Sequence, residues 1–210
     1  MKMLDTLNIL NNLSASQRGV FTSAQAGSMG VSKLALSRLE SRGHIERMMH
    51  GVYRSCAAPS FREEEVWAAW LALDPSTPAW ERPRGAMGAV ASHGTAAWLL
   101  GLGELSPAPI TFTLPERKQT RRRGLRLLKG GISEDELATI AGIPATNPAR
   151  TVLDLLDGGE DLSLVANVLK DAVKAGGEVL GGEFVAKVDS RGKRYGVPRG
   201  ESLYARMTEG

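Results

Sequence analysis

The sequence predicts an α+β protein in which three short helices and a hairpin come first and a mixed α/β region with a small sheet follows. Three observations carry this. The N-terminal 58 residues alternate helical periodicity with turn chemistry and end in two short strand-like pieces. The second half mixes a period-two strand, Ile110 to Leu114, with amphipathic helices. Hydrophobic residues make up 42% and charged residues 23% of the 210 residues, which suits a chain with packed cores and is ordinary for a globular protein.

Met3 to Leu13 sets Leu4, Leu7, Leu10 and Leu13 at helical spacing. Gly19-Val20-Phe21 reads as a short apolar bridge, and Thr22 or Ser23 caps a short helix through Ala26. Gly27-Ser28-Met29-Gly30 is turn chemistry, where Gly30 can take a positive φ. Ser32 caps the next helix, which runs to Arg42 and stops at Gly43. Residues 44–47 and 51–54 form a hairpin. Two helices joined by a glycine turn, followed by a hairpin, make a winged helix-turn-helix. Ala58-Pro59-Ser60 is the expected boundary, giving domains at 1–58 and 59–180 and a tail at 181–210.

Beyond the boundary, Glu63 to Leu73 is a predicted helix, Ala89 to Ala91 a short strand and His93 to Leu100 a helix. Leu125 to Leu128 is a partner for the strand at Ile110. Ser133 to Glu136 has capping-box spacing and predicts a helix through Ile140. Ile143 to Thr146 is extended, and Asn147-Pro148 opens a helix containing Val152, Leu153, Leu155 and Leu156. Leu164 to Ala175 is an amphipathic helix stopped by Gly176-Gly177, and one short helix is expected near 201–207.

Charge is uneven. Residues 1–58 carry seven basic and three acidic side chains, whereas the rest of the chain carries 19 and 20. A basic module joined to a neutral one fits a phosphate-bearing partner. On a helical wheel, Ala35, Leu36 and Leu39 share one face of the third helix. Lys33, Leu34, Ser37, Arg38 and Ser41 occupy the other. A helix held by an apolar spine, with a small, polar and basic face outward, is what the major groove of duplex DNA accepts. The candidate DNA contacts are Ser32, Lys33, Ser37, Arg38 and Ser41. Arg42, Arg47 and Arg54 are phosphate contacts at the helix end and on the wing. A second basic run, Arg117, Lys118, Arg121, Arg122, Arg123, Arg126 and Lys129, lies between two strands. It tracks phosphate, meets an acidic protein surface, or is a solvated hairpin loop.

Other function classes find little support. One cysteine and three dispersed histidines do not make a metal site, and no cofactor is expected. A lone cysteine forms no internal disulfide, which fits a reducing cytoplasm. No apolar run approaches the ~20 residues a membrane-spanning helix needs, and no signal peptide is apparent. No phosphate-binding loop, kinase motif or G-x-S-x-G element is present, so catalytic residues are unknown. Arg150 and Asp154 are spaced for an i, i+4 ion pair, and His93 opens a helix; both read first as structural. His44 and His50 bracket the wing. Trp67, Trp70, Trp80 and Trp98 would line a small-molecule pocket in a one-component repressor, or fill a core.

The wing string His50-Gly51-Val52-Tyr53-Arg54 is similar to that of AbiEi-type antitoxins of type IV toxin–antitoxin systems. Ala91 to Ala97, Ile110 to Pro115, and above all Ile143 to Leu155 with its Asn-Pro-Ala-Arg-Thr-Val-Leu-Asp core resemble further segments of that family. The resemblance covers about residues 5–175. It implies a winged helix that represses its own operon, often at inverted repeats, and a second domain that counters a nucleotidyltransferase toxin. Some such antitoxins act without a stable complex, so an atypical phosphotransfer to the toxin stays open.

Overall fold

The structure is a computed structural model describing residues 3–83, 87–175 and 181–209. The chain divides into two compact units, Met1–Pro83 and Arg84–Gly210.

The first unit contains α1 (Met3–Ala15), β1 (Val20–Thr22), α2 (Ser23–Ser28), α3 (Lys33–Ser41), β2 (Ile45–Met49), β3 (Val52–Ser55) and α4 (Glu64–Leu73). The strands form an antiparallel sheet in the order β1-β3-β2. The stretch read as an apolar bridge is therefore the third strand of the wing sheet. Thr22 caps α2 in a full capping box with Gln25. Gly30 takes φ +82° in the turn between α2 and α3, where a Cβ would be strained. Ser32 caps α3 by accepting from the Ala35 N–H. Leu10, Phe21, Val31, Leu36, Leu39 and Ile45 are buried together and hold α3 against the sheet.

The expected boundary at residue 58 is corrected to Pro83. α4 packs on all three wing strands. The segment after it is bound into the unit by a buried amide pair. Gln17 and Gln25 bond each other at 3.0 and 3.2 Å, Gln25 donates to the Thr77 carbonyl at 3.1 Å, and the Ala79 N–H donates to Gln17 at 2.9 Å. Thr22 also donates to the Pro75 carbonyl. Arg82, lying 8% exposed, donates to the Trp70, Leu71, Asp74 and Thr77 carbonyls and stacks over the Trp70 ring at 4.4 Å.

The second unit contains β4 (Val90–Ala91), α5 (His93–Leu100), β5 (Ile110–Leu114), β6 (Leu125–Lys129), β7 (Leu137–Ile140), β8 (Ile143–Thr146), α6 (Pro148–Gly158), α7 (Leu162–Lys174), α8 (Gly182–Asp189) and α9 (Leu203–Glu209). Its mixed sheet has the order β6-β5-β4-β8-β7. β5 and β6 pair in parallel, so residues 115–124 are a short crossover and not the hairpin loop one reading expected. The helix expected through Ile140 is one 3-10 turn, Glu134–Glu136. It keeps the predicted capping box, but the chain then enters β7. The physical reason is the next turn: Ala141 and Gly142 both take positive φ, which closes a tight hairpin onto β8.

α6 opens as expected, with Asn147 accepting from the Arg150 N–H and Pro148 in the first turn. α7 is capped by Asp161 and starts at Leu162, two residues ahead of the predicted start. Gly176-Gly177, read as its stop, lie outside the described residues. The tail set apart at 181–210 is part of this unit. Phe184, Val188, Val197, Leu203 and Met207 are buried in one cluster with Val152, Leu156, Val165 and Leu169. Among the described residues, no helix is long and apolar enough to cross a membrane.

Candidate functional site: the face of α3 and two basic or polar clefts

The sequence places an apolar spine on α3, and the fold buries it. Leu36 and Leu39 are 1% and 2% exposed and Ala35 is half-buried, while Lys33, Leu34, Ser37, Arg38 and Ser41 are exposed. Lys33, Ser37 and the Arg38 guanidinium have no side-chain hydrogen bond or ion pair among the described residues. Ser32 uses an oxygen lone pair for the cap and retains a proton to donate. Ser41 donates to the Arg38 carbonyl at 3.0 Å. Arg42 lies at the helix end with a 2.7 Å contact to the Met3 sulfur. On the wing, Arg47 is exposed and meets the His50 Nδ1 at 2.8 Å.

Arg54 is a correction. It is grouped in the sequence with the phosphate contacts, but its side chain is 18% exposed and pairs with Glu46 at 2.8 Å and Glu64 at 3.8 Å. Those carboxylates raise its pKa, the Glu46 hydrogen bond most of all. A guanidinium already neutralised by two carboxylates holds α4 to the hairpin and has little left for a phosphate.

In the second unit the basic run is split. Arg117, Lys118, Arg121 and Lys129 line a groove of about 570 Å³ whose apolar part is Leu125, Leu127 and Leu128, along the edge strand β6. Arg122 and Arg123 lie in the same crossover. Arg126 belongs elsewhere: it lines a separate cleft of about 240 Å³ with His93 and Glu160.

Arg150 and Asp154 form the expected pair at 2.7 Å, and the fold adds a third member, since Arg150 also meets Glu136 at 2.7 Å and the Gly131 carbonyl at 3.1 Å. Burial pushes the Asp154 carboxyl above its ordinary range even with Arg150 in contact. Its Oδ2 is buried without a hydrogen bond among the described residues. His93 sits at φ +55°, unusual for a non-glycine residue, and burial lowers its pKa. Glu136 was not legible as a partner of Arg150, nor Glu160 as a lining residue of the His93 cleft, because nothing in the local sequence marks a placement made across the fold.

Of the two readings of the tryptophans, the core one holds for Trp67 and Trp70. Trp67 and Trp70 are each 5% exposed, face one another at 5.3 Å, and Trp67 donates to the Gln17 carbonyl. They are core of the first unit, whereas Trp98 belongs to the second.

Comparison with known families agrees with this division. Residues 8–55 match a model described as a transcriptional regulator, AbiEi antitoxin, and residues 89–197 match the AbiEi antitoxin C-terminal domain. No curated protein matches the chain. The second match alone spans more than half of the sequence, and the first covers the helix-turn-helix and its wing: the chain belongs to the AbiEi antitoxin family.

Proposed function

We propose that the first unit binds duplex DNA at the promoter of its own operon, with α3 in the major groove, and that the second unit counters a cognate nucleotidyltransferase toxin of a type IV system. The observation that carries the DNA reading is the solvent face of α3. Lys33, Ser37 and Arg38 are exposed and uncommitted on a helix whose other face is anchored by Leu36 and Leu39. Arg38 is the base-reading candidate, because a guanidinium can bond guanine O6 and N7 together. Lys33, Ser32 and Ser41 position the helix on phosphates, with Arg42 and Arg47 flanking. Binding to an inverted repeat would place two copies on the operator, and the site of action is the cytoplasm, where operon and toxin meet.

The basic groove beside β6 supports a second set of phosphate contacts. Apart from Arg126, residues 115–130 hold six basic side chains and one acidic one, Glu116. Counterion release from such a run strengthens binding and makes it salt-dependent. An acidic toxin surface is the competing occupant. Operator binding measured over a salt series separates them. Neutralising Arg117, Arg121 and Arg123 flattens the slope if the groove tracks DNA, and leaves it unchanged while weakening toxin rescue if the groove meets the toxin.

A further inference from the structure

The cleft between α5, β6 and the end of α6 holds opposite charges that do not neutralise each other. Arg126 and Glu160 both line it, yet they form no ion pair with one another, and Arg126 makes no hydrogen bond or ion pair among the described residues. Glu160 accepts only from the neighbouring Asp161 N–H at 3.2 Å. His93 lines the same cleft and is held in an unusual backbone conformation. Thr113 donates to Ser92 Oγ at 2.9 Å, and Ser92 Oγ lies 3.1 Å from His93 Nδ1. In the tautomer in which Ser92 donates to Nδ1, the neutral ring carries its proton on Nε2, for which the described residues provide no partner. Gly158 permits this packing: a Cβ there would stand 3.2 Å from the His93 ring.

We propose that this cleft is a binding site for a small zwitterion, a free α-amino acid, with Arg126 taking the carboxylate, Glu160 the ammonium and His93 donating from Nε2. The charge on the lining argues for the class. One cation, one carboxylate and one neutral donor favour a ligand carrying both signs over a phosphate or a polyamine, each of which would leave one wall facing its own charge. Size agrees. At about 240 Å³ the cleft is smaller than the ~300–1,000 Å³ of sites for larger organic ligands. This site lies wholly within the second unit and goes beyond the DNA and toxin readings.

The test is nuclear magnetic resonance of the full chain with labelled histidine, the His93 signals being assigned with the His93→Asn variant. Free amino acids are added singly at ~10 mM, a level that reveals even millimolar binding. Inorganic phosphate and ethylammonium serve as single-charge probes. The expected result is that at least one amino acid shifts the His93 ring signals, and that Arg126→Gln and Glu160→Gln each weaken that response by about tenfold or more. Phosphate and ethylammonium should act far more weakly. Glu160→Gln keeps an acceptor for the Asp161 N–H, and Arg126 is exposed, so both variants should fold. No shift of His93 with any amino acid overturns the proposal. So does phosphate binding as tightly as the best amino acid and unaffected by Glu160→Gln, which would make the cleft an anion site.

Discussion

Replacing Arg82 by alanine tests whether residues 75–83 are structural members of the first unit. The guanidinium is buried, its pKa is lowered to about 10 by that burial, and it remains charged at neutral pH. It serves three carbonyls around the C-terminal end of α4 and a fourth at Thr77, and it covers the Trp70 ring. A helix end buried without such partners leaves carbonyls unsatisfied. Hydrogen bonds from a charged donor are worth ~1.5–3 kcal/mol each, but water entering the vacated space replaces part of them. The expected net loss is therefore about 2–4 kcal/mol, a large share of the ~5–15 kcal/mol of a typical domain. Arg82→Lys keeps the charge but not the planar fork and should recover only part of the loss. Urea unfolding followed by tryptophan fluorescence in a Trp98→Phe background reports the first unit alone, since the other three tryptophans lie there. A variant within ~0.5 kcal/mol of the parent would refute the reasoning and leave residues 75–83 without a structural part in the first unit.

Three further outcomes follow from the same structure. The ring of His93 should titrate below its ordinary range, as burial lowers its pKa; a folded-state value below the unfolded one contributes stability above about pH 6.5 that is lost as pH falls, so stability of the second unit should decline below that pH and His93→Asn should flatten the decline. Deleting residues 181–210 removes Phe184, Val188, Val197, Leu203 and Met207 from the buried cluster, and the remaining chain should lose cooperative unfolding of the second unit by calorimetry. Gly103→Ala places a Cβ 2.7 Å from Val168 at a φ of +61°, and should cost ~1–3 kcal/mol in denaturant unfolding.

Local chemistry made much of the first unit legible. Ser32, Gly30 and the Leu36/Leu39 spine act through neighbours within a few residues, so α3 and its exposed face could be read from spacing. β1 could not, because Val20 to Thr22 is too short to show a period and its identity comes from pairing with β3. The same holds for β7, where the capping box at Ser133 is real but the following turn at Ala141-Gly142 decides the strand. Arg54 was misjudged because its partner Glu64 arrives from α4, across the fold. The cleft lined by His93, Arg126 and Glu160 was not legible for a similar reason: the three lie far apart in the sequence and only the fold brings them to one cleft.

The most direct test of the account uses the full chain with Lys33, Ser37 and Arg38 all replaced by alanine. Two things are measured: affinity for the operator, and growth rescue when the adjacent toxin gene is expressed from an unrelated promoter. These side chains are exposed and uncommitted, so the fold should persist by circular dichroism. Loss of the Arg38 base contact alone should cost ~1–3 kcal/mol of operator affinity, and the triple variant more. The account predicts that operator binding is lost while rescue is retained. Unchanged operator binding by a folded variant would contradict the role assigned to α3, and loss of rescue would contradict the separation of repression from neutralisation.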